Sequence, residues 1–177
     1  MAAITASSAT QMVTVRPGML PLLTPRPERF LPATRLRAIS RSRVRVLGSG
    51  RVDDLEELST AEVVIGVGAG VDPDDYWQLD ALAQVLNAEL AATRKVTDQG
   101  WMPRSRQLGL TGRSISPRLY VAIGLSGKFN HLVGVRSAGQ ILAINNDPTA
   151  PVFGAADVGM VADWHEAVPL LAKLIEP

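Results

Sequence analysis

From about residue 60 onward, short apolar runs alternate with segments whose apolar residues recur at helical spacing, and this alternation constrains the fold most. Five runs are short enough to be strands: 62–67, 90–94, 119–123, 141–144 and 159–161. Strands that alternate with helices predict a parallel sheet with right-handed crossovers. The sequence therefore predicts an α/β fold, a Rossmann-like three-layer domain with a mostly parallel sheet, preceded by an extended N-terminal segment.

Three helices are predicted between these strands. The first starts at Asp72, an N-cap followed by a proline, and its inner stripe should run from Tyr76 to Leu90, with Trp77 packed at its edge. A second helix is predicted at about 126–134. The last begins at Asp163, with Glu166 three residues on as in a capping box. We expect its inner face to consist of four apolar residues: Val168, Leu170, Leu171 and Leu174.

The N-terminal third is unusually basic. Nine of the 18 basic residues lie at or before Arg51, where the only acid is Glu28. Such a segment suits an organelle transit peptide, a nucleic-acid arm or a solvated connection. Its prolines disfavour a targeting helix, and no aromatic residues are interleaved for base stacking. The connecting segment is therefore preferred, with short strands at 12–15 and 43–47 and no nucleic-acid partner. We divide the chain into 1–58, this segment, and 59–177, the folded domain.

Composition excludes several kinds of chemistry. The chain has no cysteine and two histidines, which rules out thiolate catalysis and disfavours a His-rich metal site. No apolar run is long enough to cross a bilayer, so we expect no membrane insertion. Neither a nucleophile elbow, nor a Walker loop, nor a paired-carboxylate signature is present. A bound cofactor would therefore supply the chemistry.

Glycines and polar residues follow several of the predicted strands. In a parallel sheet these loops meet at the carboxyl edge, where ligands bind. The loop "GLSGK" at 124–128 combines glycines, a hydroxyl and a lysine, which suits a phosphate, although a turn without ligand remains an alternative. Arg94 is either a cation at this edge or an ordinary surface arginine. His131 is either a ligand contact or a packed histidine. The long irregular stretch 97–117 is typical of a functional loop.

Several motifs in one order resemble a known family. The segments "ELAATRKVTDQGWMP", "QLGLTGRSISPRLYVAIGLSGKFNHLVGV" and "ILAINNDPTAPVFGAADVGMVAD" resemble the C-terminal FAD-binding domain of the electron-transfer flavoprotein α subunit. The resemblance runs from about residue 61 to residue 174. Because family chains carry a further α/β domain first, the resemblance implies an N-terminally truncated chain. It implies an electron carrier rather than a turnover enzyme.

The resemblance also implies site residues for FAD. Thr93 would lie near the pyrophosphate, Arg94 against the isoalloxazine ring, and Leu108 to Thr111 along the flavin. His131 would reach the flavin O2 edge. A flavin that accepts one electron gains negative charge, which Arg94 and His131 would stabilise. The complete set of implied cofactor-binding residues is Thr93, Arg94, Leu108, Gly109, Leu110, Thr111, Ser126, Gly127, Lys128, Phe129, Asn130, His131, Asn145, Asp163 and Trp164.

The family relation further implies partners and a location. They are an electron-transfer flavoprotein β subunit, a dehydrogenase donor and a redox acceptor, in a bacterial cytoplasm or a mitochondrial matrix. Apolar surface that such partners would cover predicts self-association of the isolated chain.

The sequence departs from the family pattern at a few positions. Gly68, in "GVGAG", stands where the family has an arginine in a G-G-R-G turn, and Leu110 replaces a glutamine. Asn130 also replaces a glutamine, and Trp164 a smaller apolar residue. The alternative function is therefore a divergent nucleotide-binding or interaction module that has lost tight FAD binding. A nicotinamide-dependent enzyme is disfavoured, because the glycine fingerprint is incomplete and Glu89 is the only acid offered for a ribose.

Overall fold

The computed structural model describes residues 54–175, with side chains from residue 57 onward. The predicted strands at 12–15 and 43–47 lie outside the described residues. The predicted boundary at 58/59 falls inside helix α1, and Leu58 of this helix is buried against the sheet. The division of the chain into two parts stays a prediction. The main elements are α1 Asp54–Thr60, β1 Val63–Val67, α2 Trp77–Leu86, β2 Glu89–Ala92, α3 Arg94–Asp98, β3 Leu119–Ile123, α4 Phe129–Leu132, β4 Gln140–Asn145, β5 Val158–Val161 and α5 Trp164–Ile175.

The five strands form one parallel sheet in the order β2-β1-β3-β4-β5. In the register, Ile65 lies opposite Leu90 on one side and Val121 on the other. The chain passes from β1 to β2 at one edge and then returns to build β3, β4 and β5 on the other side of β1. The strand order therefore reverses between β1 and β3, and in open α/β sheets this is where ligands bind.

Two apolar clusters cover the two faces of the sheet. One cluster packs Leu79 of α2 and Val168 of α5 onto Ile65 and Ile123. The other contains Leu58, together with apolar residues of the loops on the opposite face. Both faces of β1 and β3 are buried, which explains why their sequences are continuous apolar runs rather than alternating ones. The predicted three-layer α/β architecture is confirmed.

Two predictions about helix faces are wrong. Trp77, expected to pack, is 68% exposed at the start of α2. Leu170 and Leu174, expected on the inner face of α5, are 58% and 72% exposed. A helix turns about 100° per residue, so a residue two positions after the buried Val168 faces solvent. The buried side of α5 is made by Trp164, Ala167, Val168 and Ala172.

Helix boundaries also differ from the prediction. Asp72 does act as a cap, since its carboxylate accepts a hydrogen bond from the Asp74 amide at 3.0 Å, but it caps a 3-10 turn at Pro73–Asp75 that precedes α2. Leu90 belongs to β2 and not to the helix. Among the described residues, no helix is both long and apolar enough to cross a bilayer.

Candidate functional site

A cleft of about 530 Å³ opens at the carboxyl edge of the sheet, where the strand order reverses. A smaller hollow of about 70 Å³ adjoins it, and the two share Gly70 and Gly124. The larger volume lies in the usual range for small-molecule sites. The two hollows together form an elongated site across the ends of β1, β2, β3 and β4.

Most of the predicted site residues line these two hollows. Those that line the large cleft are Thr93, Arg94, Leu108, Leu110, Thr111, Ser126, Gly127, Lys128, Asn130 and His131. Those that line the smaller hollow are Asn145, Asp163 and Trp164. Gly109 and Phe129 line neither, and Phe129 is 71% exposed. Ala69, Lys95 and Leu125 also line the large cleft. They stand inside the segments "GVGAG", "ELAATRKVTDQGWMP" and "GLSGK", but the sequence interpretation did not name them as site residues.

Glycines form the floor between the two hollows. The Gly68 amide donates to the Ile123 carbonyl and the Gly70 amide to the Gly124 carbonyl, each at 2.9 Å. A Cβ atom on Gly68 would lie 2.2 Å from the Gly124 oxygen, so this position accepts no side chain. Gly68 therefore cannot be where a phosphate-binding arginine has been lost. The neighbouring Ala69 lines the cleft and is the position from which a side chain of this turn would reach a ligand.

The loop from Gly124 to Lys128 presents free amides to the cleft. Gly124 and Gly127 have φ angles of +60° and +71°, a conformation that favours glycine. Within the described residues, the amides of Ser126, Gly127 and Lys128 have no hydrogen-bond acceptor. Consecutive free N–H groups of this kind bind anions. The helix predicted at about 126–134 is shorter than expected, since α4 has four residues. Anion binding at this loop would therefore rest on the free amides more than on a helix dipole.

Arg94 lies at the mouth of the cleft, at the first position of α3 rather than at the end of a strand as predicted. Its Nε atom donates to Asp98 at 3.0 Å, and the side chain stays 60% exposed. An exposed ion pair of this type contributes little to stability, ~0.5 kcal/mol. The charge of Arg94 is therefore available to a ligand but is partly balanced by its neighbour.

His131 borders the cleft from the buried side. Its Nε2 atom lies 2.7 Å from the Tyr120 hydroxyl, and its buried Nδ1 atom has no hydrogen bond of good geometry in the described part of the chain. Burial lowers the pKa of His131 to about 4, against a smaller opposing effect of the Leu108 backbone. Burial also raises the pKa of Tyr120 well above its ordinary value. At neutral pH His131 is uncharged, so it is not a source of positive charge in this state.

The loop Leu108–Thr111 forms the wall facing α4. The Leu110 amide donates to the Asn130 carbonyl at 2.6 Å, which fixes the loop to the start of α4. Gly109 has a φ angle of +117°, and a Cβ atom there would lie 2.3 Å from that same Asn130 oxygen. Leu110 is half exposed at the rim. Thr111 accepts a hydrogen bond from the side chain of Gln107 at 2.9 Å.

The polar residues that line the smaller hollow are held by hydrogen bonds. Asn145 donates to the Leu125 carbonyl and accepts from the Asp147 amide, both at 2.9 Å. Asp163 caps α5 by accepting from the His165 amide at 2.9 Å, and hydrogen bonds from His165 lower the pKa of Asp163. Trp164 is buried in the core and stacks on the His165 ring. Among the described residues, Asp163 is the one acidic residue that lines the smaller hollow.

Comparison with known proteins gives consistent results. Residues 57–136 match the electron transfer flavoprotein FAD-binding domain. The chain is 42% identical over 123 residues to the electron transfer flavoprotein subunit alpha of Pseudomonas aeruginosa, covering 69% of this chain and 40% of that protein. It is 44% identical over 120 residues to a probable mitochondrial subunit alpha of Caenorhabditis elegans, covering 67% and 36%. For the mitochondrial subunit alpha of Dictyostelium discoideum the identity is 40% over 121 residues, covering 68% and 34%.

The chain thus spans between 34% and 40% of the length of these relatives. The matched region contains β1 to β3 and the loops that build the large cleft. Over residues 57–136 this domain is therefore similar to the FAD-binding domain of electron-transfer flavoprotein α subunits.

Proposed function

We propose that this chain binds FAD across the two hollows and serves as the α-like member of an electron-transfer flavoprotein. It would carry single electrons from a dehydrogenase to an acceptor, together with a β-subunit partner. FAD supplies the redox chemistry when bound. The observation that carries the proposal is the row of free amides at 126–128 in a cation-lined cleft that adjoins a smaller hollow.

The residues present fit the parts of FAD. Free amides at 126–128, with the Ser126 hydroxyl and Lys128, suit the pyrophosphate. The apolar and cationic wall made by Leu108, Leu110 and Arg94 suits the isoalloxazine ring. The adenosine would occupy the smaller hollow, where Asp163 can accept from a ribose hydroxyl.

The remaining predicted site residues have supporting roles in this proposal. Thr93 lies at the N-cap position of α3, beside Arg94. Gly109 supports the flavin wall through its contact with Asn130, and Gly127 allows the phosphate loop its left-handed turn. Asn145 ties the loop after β3 to the loop after β4. In this proposal these residues hold the cofactor, and the protein carries electrons without turning over a substrate of its own.

The same proposal covers location and assembly. Relatives are bacterial or mitochondrial proteins, so we propose the cytoplasm or the mitochondrial matrix according to the source. Leu110 at the cleft rim and the exposed Phe129, next in the chain to the cleft-lining Lys128, suit an apolar partner surface. An isolated chain is expected to self-associate through such residues, which sedimentation of the purified protein would measure.

The alternative is a nucleotide-binding or interaction module without tight FAD binding. The observation in its favour is Leu110, whose half-exposed apolar side chain stands where the resemblance implies a glutamine. A module of this kind would bind ADP at the amides of 126–128 and the smaller hollow while leaving the flavin wall unused.

An absorption spectrum tests the proposal. The purified chain is incubated with FAD, with and without a β subunit, desalted and scanned for flavin bands. Arg94→Ala should weaken retention, whereas Arg118→Ala, an exposed arginine just before β3 at the opposite edge of the sheet, should not. ADP binding without flavin retention in either preparation would favour the alternative module.

A further inference from the structure

His165 is a titratable side chain that the proposed FAD site does not use. It lies in the first turn of α5, directly after Asp163 and Trp164, which both line the smaller hollow. The positive end of a helix dipole lies at such a turn, so a cation there is disfavoured unless other groups compensate. The surroundings of the His165 ring therefore decide whether it is charged.

The two nitrogens of this ring face two carboxylates. Nδ1 lies 2.8 Å from Asp163 Oδ1, and Nε2 lies 3.2 Å from Asp75 Oδ2. An ionised carboxylate only accepts hydrogen bonds, and a neutral imidazole has a single N–H to donate. Both contacts are therefore hydrogen bonds only when His165 is protonated, and their direction is then fixed because both ring nitrogens donate.

Other groups around the ring also favour its protonated form. The ring stacks on Trp164, with centroids 3.9 Å apart and an interplanar angle of 29°, and the face of an indole attracts cations. Hydrogen bonds to Asp163 and, next, to Asp75 raise the pKa of His165 above its ordinary value of 6.5. Within the described residues, the other charged side chains of the surrounding elements and loops form no ion pair with this ring: Asp72, Asp74, Asp80, Asp147, Glu166 and Lys173.

The bonds of His165 join the two walls of the smaller hollow. One wall contains Gly70 and leads into the 3-10 turn that ends at Asp75, and the other contains Asp163. Asp75 is held in place by Gln78, whose Nε2 atom donates to Asp75 Oδ1 at 3.0 Å. Asp163 uses Oδ1 for both the backbone amide and the ring of His165. Its Oδ2 atom accepts no hydrogen bond within the described residues and is available to a ligand.

We propose that His165 is a positioning residue whose protonated form joins Asp75 to Asp163 and so strengthens nucleotide binding in the smaller hollow as pH falls. The inference rests on the proposed function, which places a nucleoside there. Two effects act in the same direction: Asp163 is held with one oxygen free for a ribose hydroxyl, and the positive charge offsets the repulsion between Asp163 and the ligand phosphates. As pH rises and the ring loses its proton, one of the two bonds is lost and binding weakens.

The first test uses the protein without nucleotide. His131 and His165 are the two histidines of the chain, and burial lowers the pKa of His131 to about 4, so NMR titration separates their ring signals. We expect His165 to titrate above 6.5 and Asp75→Asn to lower its pKa. The control Asp74→Asn, in the same 3-10 turn, should lower it less. Equal effects of the two substitutions, or no effect of either, would overturn the proposal.

The second test measures the affinities for FAD and for ADP by calorimetry. His165→Phe keeps a ring beside Trp164 and the backbone amide that Asp163 caps, but removes both ring nitrogens. Between about pH 8.5 and about pH 6, the wild-type affinity should rise about two- to fivefold more than that of His165→Phe, the range for exposed ion pairs. This comparison cancels the titration of the ligand phosphates. His165→Arg, charged at both values, should keep the tighter binding at both.

Two results of the second test would refute the inference. One is the same pH dependence in the wild type and in His165→Phe. The other is binding by His165→Arg that is as weak at low pH as that of His165→Phe, which would show that charge is not responsible. ADP binding with the expected pH dependence but without FAD retention refutes the proposed electron carrier and leaves the inference standing. Binding of neither ligand refutes the proposed site and the claim about affinity, while the titration of His165 still decides whether the ring joins the two carboxylates.

Discussion

Replacement of Gly127 by alanine tests the construction of the phosphate loop, and Gly100 provides a matched control. Both glycines have positive φ angles, +71° and +74°. An alanine in this conformation costs ~1–2 kcal/mol at either position. The surroundings differ, because a Cβ atom on Gly127 would lie 2.3 Å from the Val152 backbone, whereas a Cβ atom on Gly100 would meet nothing within 4 Å.

The clash at Gly127 cannot be relieved by a side-chain rotation. Val152 is held to the loop by a hydrogen bond from its amide to the Ser126 carbonyl at 3.1 Å. Moving the two segments apart adds an overpacking cost of ~1–3 kcal/mol and weakens that bond by ~1 kcal/mol. We therefore expect Gly127→Ala to lower the free energy of unfolding by ~2–4 kcal/mol more than Gly100→Ala does.

Urea unfolding of the two variants, followed by circular dichroism, measures this difference. In a chain of this size the midpoint of thermal unfolding should separate by roughly 10 °C. Gly127→Ala should also abolish binding of FAD or ADP, while Gly100→Ala should leave it intact. Equal losses of stability in the two variants would show that the tight approach of the loop to Val152 does not exist.

Three further predictions concern the charges and the rim of the cleft. The folded-state pKa of His131 is lowered from 6.5 to about 4, so between these values the unfolded chain binds a proton that the folded chain does not. The free energy of unfolding should therefore fall as pH falls below about 6.5, by ~3 kcal/mol near pH 4. His131→Asn should flatten this pH dependence in urea unfolding, and an unchanged slope would show that His131 is not buried as a neutral ring. Asp98→Asn removes the ion pair of Arg94 and should strengthen FAD or ADP binding a few-fold in calorimetry. The exposed control Asp80→Asn should give less, and equal gains would mean that net charge alone matters. Leu110→Gln should tighten FAD retention by up to ~10-fold through one added hydrogen bond, and looser retention would contradict the role given to this rim position.

The elements that the sequence predicted best are those with both faces buried. The prediction for β3 matches the structure at both ends, and the prediction for β1 differs by one residue. A continuous apolar run bounded by polar corners has few other folded forms. Since parallel strands end at one edge of the sheet, the residues after each strand were also correctly expected to gather there.

The features that the sequence did not reveal depend on packing between segments that lie far apart in the chain. Position 68 looked like a missing phosphate ligand, yet its environment is the Gly124 backbone, a contact that no periodicity encodes. The burial of the Gln107 side chain is matched by hydrogen bonds with residues ten positions before and four after it, in an irregular loop. The neutrality of His131 follows from burial and from Tyr120, neither of which a lone histidine in a sequence signals.

Charge differs between the two ends of the site and orients the expected ligand. The ionisable side chains that line the large cleft among the described residues are Arg94, Lys95, Lys128 and the neutral His131, and none is acidic. The smaller hollow contains Asp163 instead. An anionic group is therefore stabilised over the large cleft and at its amide loop, and is disfavoured beside Asp163, where a hydroxyl donor fits better. A ligand with phosphates in its middle and a hydroxylated nucleoside at one end matches this arrangement in one direction only. Because the Arg94 side chain is 60% exposed, its attraction for an anion should weaken with added salt, as expected for a site that draws on exposed cations rather than on a buried charge.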